Sequence, residues 1–317
     1  MVNKRKLGIS ELMVPPLTFG GNVFGWTVDE PSSFKILDTL FDFGFNFVDT
    51  ADAYSIWAAG NKGGESESII GKWLKKTGKR KDVIIATKLG MDLGQGKKGL
   101  SAKYMKLAVE ASLRRLGTDY IDLYQSHKDD LATTVEETMT AFNQLIKEGK
   151  VRYIGASQLS AERIRASNDF ARSNNLKPYI SLQPLYNLCE REQFENEYVE
   201  LVREESLGVI PYYSLASGFL TGKYRSEADL GKSLRGAGVR KYMDERGFRI
   251  LEAMDEVSEE LNIPLSKVAI AWLINKPFVT APIASATNNH QLTELLEATS
   301  LELTPKQMAR LEKASDL

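Results

Sequence analysis

Eight short β-rich runs separated by longer amphipathic stretches constrain this chain more than any other feature. The runs are Leu17–Gly20, Phe45–Asp49, Val83–Lys88, Tyr120–His127, Val151–Ser157, Ile180–Tyr186, Val209–Ser214 and Val279–Ser285. Most are short apolar runs rather than strict alternations, the pattern of parallel strands covered on both faces. Helical signals fill the intervals. Met105, Val109, Leu113 and Leu116 form a stripe that Gly117 stops. Thr133-Thr134-Val135-Glu136 reads as a capping box, and Thr304-Pro305-Lys306-Gln307 combines a cap, a first-turn proline and a third-position Gln. Eightfold alternation predicts a closed (β/α)8 TIM barrel rather than an open sheet, with residues 1–317 forming one domain. The rhythm breaks between Ser214 and Val279. There Gly218, Gly222, Gly231, Gly236 and Gly238 precede a helical pattern from about Glu245 to Leu261. This interval predicts a long loop and an extra helix over the carboxyl-end face of the barrel. Arg5 to Leu12 predicts a hairpin plugging the opposite end.

Composition narrows the function classes. Lys and Arg total 41 against 42 Asp and Glu, a formal charge of −1, with no long block of either sign. Nothing in that balance calls for nucleic acid or an anionic membrane. No apolar run reaches the roughly 18 residues of a membrane span, and the first residues lack the apolar core of a secretion signal. The single Cys189 cannot form an intrachain disulfide, which suits a reducing cytoplasm. No His/Cys/Asp cluster has zinc spacing, so no metal is expected.

In a βα-barrel the working groups sit at the carboxyl ends of the strands. Three successive runs end in an ionisable residue: Asp49, Lys88 and His127, the last being one of only two histidines. Tyr54 follows Asp49 by five positions. An ammonium about 4 Å from a phenol, at an effective dielectric of about 20, stabilises the phenolate by about 4 kcal/mol before desolvation opposes it. Asp49 would hold Lys88 charged, and His127 would orient a substrate oxygen. Such a group is a proton donor poised for a developing alkoxide. Singly, each residue has a plain structural role: Asp49 as a cap, Lys88 as a surface residue, Tyr54 as packing and His127 as a bonded core imidazole. Their placement on three adjacent strand ends is what those roles explain poorly.

The segments Asn46 to Tyr54, Ile85 to Lys88 and Ile121 to His127 resemble the active-site segments of the aldo-keto reductases. The likeness runs in order from about Arg5 to Ala298. It implies a nicotinamide cofactor, usually NADPH, lying across the barrel mouth. Independently, no Gly-x-Gly-x-x-Gly follows a strand, so a Rossmann domain is not expected. The resemblance implies a catalytic tetrad of Asp49, Tyr54, Lys88 and His127, with Tyr54 as general acid. It places Ser157, Gln158 and Gln183 on the nicotinamide carboxamide and Tyr212 against its ring. Ser214, Leu215 and Lys223 belong to the belt around the nicotinamide and pyrophosphate, and Gly21 and Asn22 are further cofactor-binding candidates. Arg235, Ser285, Thr287 and Gln291 resemble covering and adenosine-end positions. Three departures stand out. Gln158 replaces a commoner Asn, and Tyr213-Ser214 replace a commoner Ser-Pro. The segment Ile283 to Gln291 lacks the Lys or Arg that often clamps a 2′-phosphate, which leaves NADH open beside NADPH.

Phe24, Trp26 and Trp57 are candidate walls of an aromatic substrate pocket for an aldehyde or ketone. The expected function is NAD(P)H-dependent carbonyl reduction, with hydride passing from nicotinamide C4 and the proton coming from Tyr54. Two readings compete with it. One is a nicotinamide-sensing accessory subunit with little turnover; the other is a Schiff-base lyase using Lys88 as nucleophile.

Overall fold

The computed structural model describes residues 2–316. An antiparallel hairpin, β1 (Arg5–Lys6) and β2 (Met13–Val14), precedes eight parallel strands. These are β3 (Thr18–Gly20), β4 (Phe47–Asp49), β5 (Ile84–Leu89), β6 (Ile121–Ser126), β7 (Val151–Ser157), β8 (Ser181–Gln183), β9 (Gly208–Val209) and β10 (Ile283–Ala284). They pair in the order β10-β3-β4-β5-β6-β7-β8-β9. The two outer strands meet: Thr280 N donates to Val209 O and Ile283 N to Pro211 O, both at 2.8 Å. The sheet therefore closes into the (β/α)8 fold.

All eight expected strands exist, and the last three are shorter than their apolar runs. Pro184, Pro211 and Pro282 each remove a ladder N–H within or beside these runs, so regular pairing stops there. Hydrogen bonds such as Tyr212 N to Pro184 O (2.9 Å) carry the chain onward without a regular ladder.

The helices are α1 (Glu30–Asp42), α2 (Glu65–Thr77), α3 (Ala102–Leu116), α4 (Val135–Lys147), α5 (Ala161–Ser173), α6 (Val199–Glu204), α7 (Glu245–Leu261), α8 (Leu265–Ile274), α9 (Asn289–Glu297) and α10 (Pro305–Ala314). The Met105, Val109, Leu113, Leu116 stripe is buried, and Gly117 ends α3 in the left-handed conformation. Thr304 and Gln307 form the expected capping box of α10. At α4 the frame is one residue later than expected: Thr134 caps Glu137 N. The box fails because the Glu137 carboxylate accepts from Ala102 N (2.8 Å) instead.

The insert after β9 also differs from expectation. Its irregular part, from Leu215 to Arg235, borders the cleft at the barrel mouth. The helix α7 is instead bound to the chain end, where Arg246 and Arg249 donate to Ser315 O and Ala314 O. A second helix, α8, was not legible as such. Eight of its ten residues are buried, and an all-round apolar segment has no helical periodicity to read.

Strand alternation sets the interior. Phe47, Ala86 and Leu123 fill the lower barrel together with Leu7, Leu12 and Val14 of the hairpin region. Val48, Ile85 and Tyr124 belong to the outer core between sheet and helices. With a side-chain period of two, Asp49, Lys88 and Gln125 must then point inward one layer above the plug. At the plug, Gly8 has φ +56°, and a Cβ there would lie 2.1 Å from Ile180 O. Gly8→Ala should therefore cost about 3 kcal/mol or more from strain and clash together. Urea unfolding of the two proteins checks it; equal midpoints would show that the plug does not approach this closely.

Candidate active site

Asp49, Lys88 and His127 arrive from the ends of β4, β5 and β6, and Tyr54 folds back from the turn that follows β4. Lys88 Nζ donates to Asp49 Oδ2 (2.6 Å), Thr50 O (2.9 Å) and Tyr54 OH (2.7 Å). Three acceptors match the three protons of an ammonium. The Tyr54 hydroxyl donates to Asp49 Oδ2 (2.9 Å). His127 packs edge-on to Tyr54, with ring centroids 5.9 Å apart. Its Nδ1 has no protein partner.

Burial dominates the ionisation of this group. Tyr54 is pushed well above the usual tyrosine value, by burial first and by the Asp49 charge second. Lys88 is lowered because burial outweighs the pull of Asp49. His127 falls well below its ordinary value through burial and the nearby Lys88 charge. At neutral pH the site thus holds a phenol and a neutral imidazole.

Tyr54 and His127 line a cleft of about 760 Å³, with Asp49 and Lys88 fully buried behind them. Beside them lie Ser157, Gln158, Gln183 and Tyr212. The Gln183 amide nitrogen is committed to Asp49 Oδ1 (2.9 Å) and Gln125 Oε1 (3.4 Å), which leaves its oxygen as the free group. Ser157 Oγ donates to Gln183 O (2.8 Å), and Gln158 Nε2 to His127 O (3.1 Å). Further along the cleft are Ser214, Leu215, Lys223 and Arg235, then Ser285, Thr287 and Gln291. Ser214 Oγ donates to Ile283 O (2.7 Å), fastening the closing seam of the barrel. The Asn22 amide is satisfied with its nitrogen toward Ser285 Oγ (2.6 Å) and its oxygen accepting from Arg235 Nη2 (3.1 Å). Gln291 Oε1 accepts from Thr287 N (2.9 Å) and Thr287 Oγ1 (3.0 Å).

Three expected positions lie off the cleft wall. Gly21 faces α2, where its carbonyl accepts from Ser66 Oγ (2.8 Å). Phe24 is fully buried and stacks on Phe19, so its ring belongs to the core rather than to a pocket. Trp26 supports the wall from behind, edge-on to Trp57 at 5.6 Å and 5.1 Å from the Arg235 guanidinium. Trp57 itself lines the mouth and is 50% exposed.

The Aldo/keto reductase family model matches residues 16–316. The chain belongs to the aldo/keto reductase family. An aryl-alcohol dehydrogenase of Pestalotiopsis microspora is 32% identical over 321 residues, covering 97% of this chain and 80% of that protein. A probable voltage-gated potassium channel subunit beta of Arabidopsis thaliana is 33% identical over 319 residues, with 98% and 95% covered. A norsolorinic acid reductase of Aspergillus flavus is 30% identical over 319 residues, with 96% and 78% covered.

Two residues of this site, Gln125 and Thr50, were not expected from the chain. Gln125 turns its amide nitrogen toward Asp49 Oδ1 (3.5 Å); its position two before His127 on the inward face was the available signal. Thr50 contributes only a carbonyl, for which no side-chain signal exists. Tyr213 stands at the mouth with φ +57° and 50% exposure. If Lys88 holds the buried carboxylate as its geometry indicates, Lys88→Met costs about 3–5 kcal/mol of stability by leaving Asp49 unpaired. The double variant Asp49→Asn/Lys88→Met should recover part of that loss. Urea titrations of both proteins decide it, and equal loss in the two would remove the ion pair from the account.

Proposed function

We propose that this chain reduces aldehydes and ketones with a bound nicotinamide cofactor, Tyr54 giving the proton. The observation that carries the reading is the 2.7 Å bond from Lys88 Nζ to Tyr54 OH on the wall of the cleft. As the proton leaves, negative charge grows on an oxygen that already accepts from a fixed cation. That stabilisation is stronger in the transition state than in the resting site. The neutral His127 imidazole sits against Tyr54 and can orient the substrate oxygen by donating to it. The resting bond from Tyr54 to Asp49 must swing to that oxygen, a common difference between empty and loaded sites.

The cleft suits an extended dinucleotide. Lys223 and Arg235 border it, and neither has a carboxylate partner among the described residues. Cations left uncompensated in this way are fitted to a pyrophosphate. Ser157, Gln158 and the free Gln183 oxygen suit a carboxamide, and the Tyr212 ring a flat pyridine. When bound, the reduced nicotinamide supplies the hydride. Trp57, backed by Trp26, gives the mouth an aromatic wall for the apolar body of a carbonyl substrate.

NADPH is the cofactor we propose first, from the family. NADH is favoured as a second by one observation: the far end of the cleft presents Thr287, Gln291 and Glu294 but no Lys or Arg. Titrating each cofactor by quenching of tryptophan fluorescence separates them. Equal affinities would show that the 2′-phosphate is not recognised.

Tyr54→Phe should lower kcat by roughly 10²–10⁴, the usual weight of a positioned proton donor. Its NADPH affinity should stay within about three-fold, because only a transition-state contact is lost. Retained turnover would remove Tyr54 from the role. An accessory subunit, the function named for the Arabidopsis relative, would instead turn over aldehydes at about 10⁻² s⁻¹ or less, far below the enzyme median of about 10 s⁻¹.

A further inference from the structure

Behind the site the structure buries an acid for which the reduction scheme has no use. Asp52 is 2% exposed, and neither of its carboxylate oxygens has a hydrogen-bond partner. Its backbone is joined to the catalytic strand, Asp52 N donating to Lys88 O (3.2 Å). Four elements bring titratable groups against it. From α2 comes Glu67, fully buried, whose oxygens are committed to Thr87 Oγ1 (2.6 Å) and Arg115 Nε (2.6 Å). From α3 come Arg115 and Tyr104, and from β5 comes Lys88. Tyr124 of β6 adds a buried hydroxyl that is also unpartnered.

Charge is short in this cluster. Arg115 is already paired with Glu67, and Lys88 with Asp49. An ionised Asp52 would have no cation of its own and only the adjacent Ala53 N–H as a weak donor, a state that protein interiors avoid by keeping the group neutral. Burial and the Glu67 charge accordingly push Asp52 up to about 8. Lys88 feels the charge of Asp52 in return, in the direction that raises Lys88.

We infer that Asp52 is a positioning residue that keeps its proton at neutral pH and, by releasing it in mild alkali, adds negative charge behind Lys88 and weakens the pull of Lys88 on Tyr54. The kinetic consequence rests on the reductase reading; the electrostatic linkage does not. Reduction should slow as the proton leaves, because Tyr54 becomes a poorer acid.

The deciding measurement is ¹⁵N NMR of lysine-labelled protein, with the Lys88 Nζ signal assigned by its loss in Lys88→Arg. That signal should shift with a midpoint near pH 8 in the natural protein and lose this inflection in Asp52→Asn. No inflection in the natural protein, or one that persists in the variant, overturns the inference. Because no cofactor or substrate is needed, absent turnover would sink the reductase reading alone. Where turnover is found, the ratio of aldehyde reduction at about pH 9 to that at about pH 7 should rise in Asp52→Asn, and an unchanged ratio counts against the linkage.

Stability supplies a folding check with a definite sign. The folded-state value of Asp52 lies above its unfolded value, so its favourable contribution is complete below about pH 4 and is lost as pH rises through about 8. The natural protein should therefore lose more Tm across that window than Asp52→Asn or Asp52→Ser. Parallel Tm curves would mean that Asp52 is ionised throughout.

Discussion

One ammonium organises the top of this barrel. Lys88 is completely buried, and a buried cation is tolerable only when each of its protons meets an acceptor. Asp49, Thr50 and Tyr54 provide those acceptors. Asp49 in turn is held from its other oxygen by Gln183 and Gln125. Strands β4, β5, β6 and β8 are thereby joined through one polar layer that sits on the apolar plug. The requirement to satisfy Lys88 fixes the Tyr54 hydroxyl in place, and that position gives the site its chemistry.

The same demand for partners is met unevenly along the cleft. Around Lys88 and Asp49 the polar groups are engaged, and Ser157 Oγ is tied to Gln183 O. Toward Lys223 and Arg235 the positive charge outruns the protein's own acids. Arg235 is steadied by Asn22 and by the face of Trp26 rather than by a carboxylate. Burial lowers its pKa below the usual guanidinium range, but a guanidinium remains charged. A cation kept charged on the wall of a cleft, without an internal counter-ion, is poised for an anionic ligand. Beyond it, Glu294 borders the cleft with Ser266 donating to its carboxylate (3.1 Å).

Much of this was legible in the residues because its signals are local. Strand runs, the α3 stripe with Gly117 and the Thr304 box depend on neighbours within one turn or one ladder step. The strand-end acids and bases share that property: each marks the same point of a repeated unit. Signals failed where the cause acts through space. Pro184, Pro211 and Pro282 trimmed β8, β9 and β10, but which ladder bond each one removes depends on strand partners remote in sequence. Glu137 abandoned its cap because Ala102 N, remote in sequence, competes for it. Phe24 looked like a pocket wall until Phe19 was found beneath it. Asp52 carries no signal in the chain, since neither Glu67 nor Arg115 announces from its sequence neighbours that it will be buried beside it.

The ionisation of Tyr54 shows why magnitudes had to be weighed. From the chain alone, a cation beside the phenol argued for a lowered pKa. In the structure the cation is present at hydrogen-bond distance, yet burial and Asp49 prevail and the phenol is raised. Asp49 takes back at Oδ2 much of what Lys88 offers, since the same oxygen accepts from both groups. A proton donor needs its proton at working pH, so this balance suits the proposed reduction better than a free phenolate would. In that proposal the stabilising charge is used only when the proton departs and the Tyr54–Asp49 bond is broken. Lys88 then faces an anionic oxygen with its geometry already set, and no reorganisation is required at the moment of transfer.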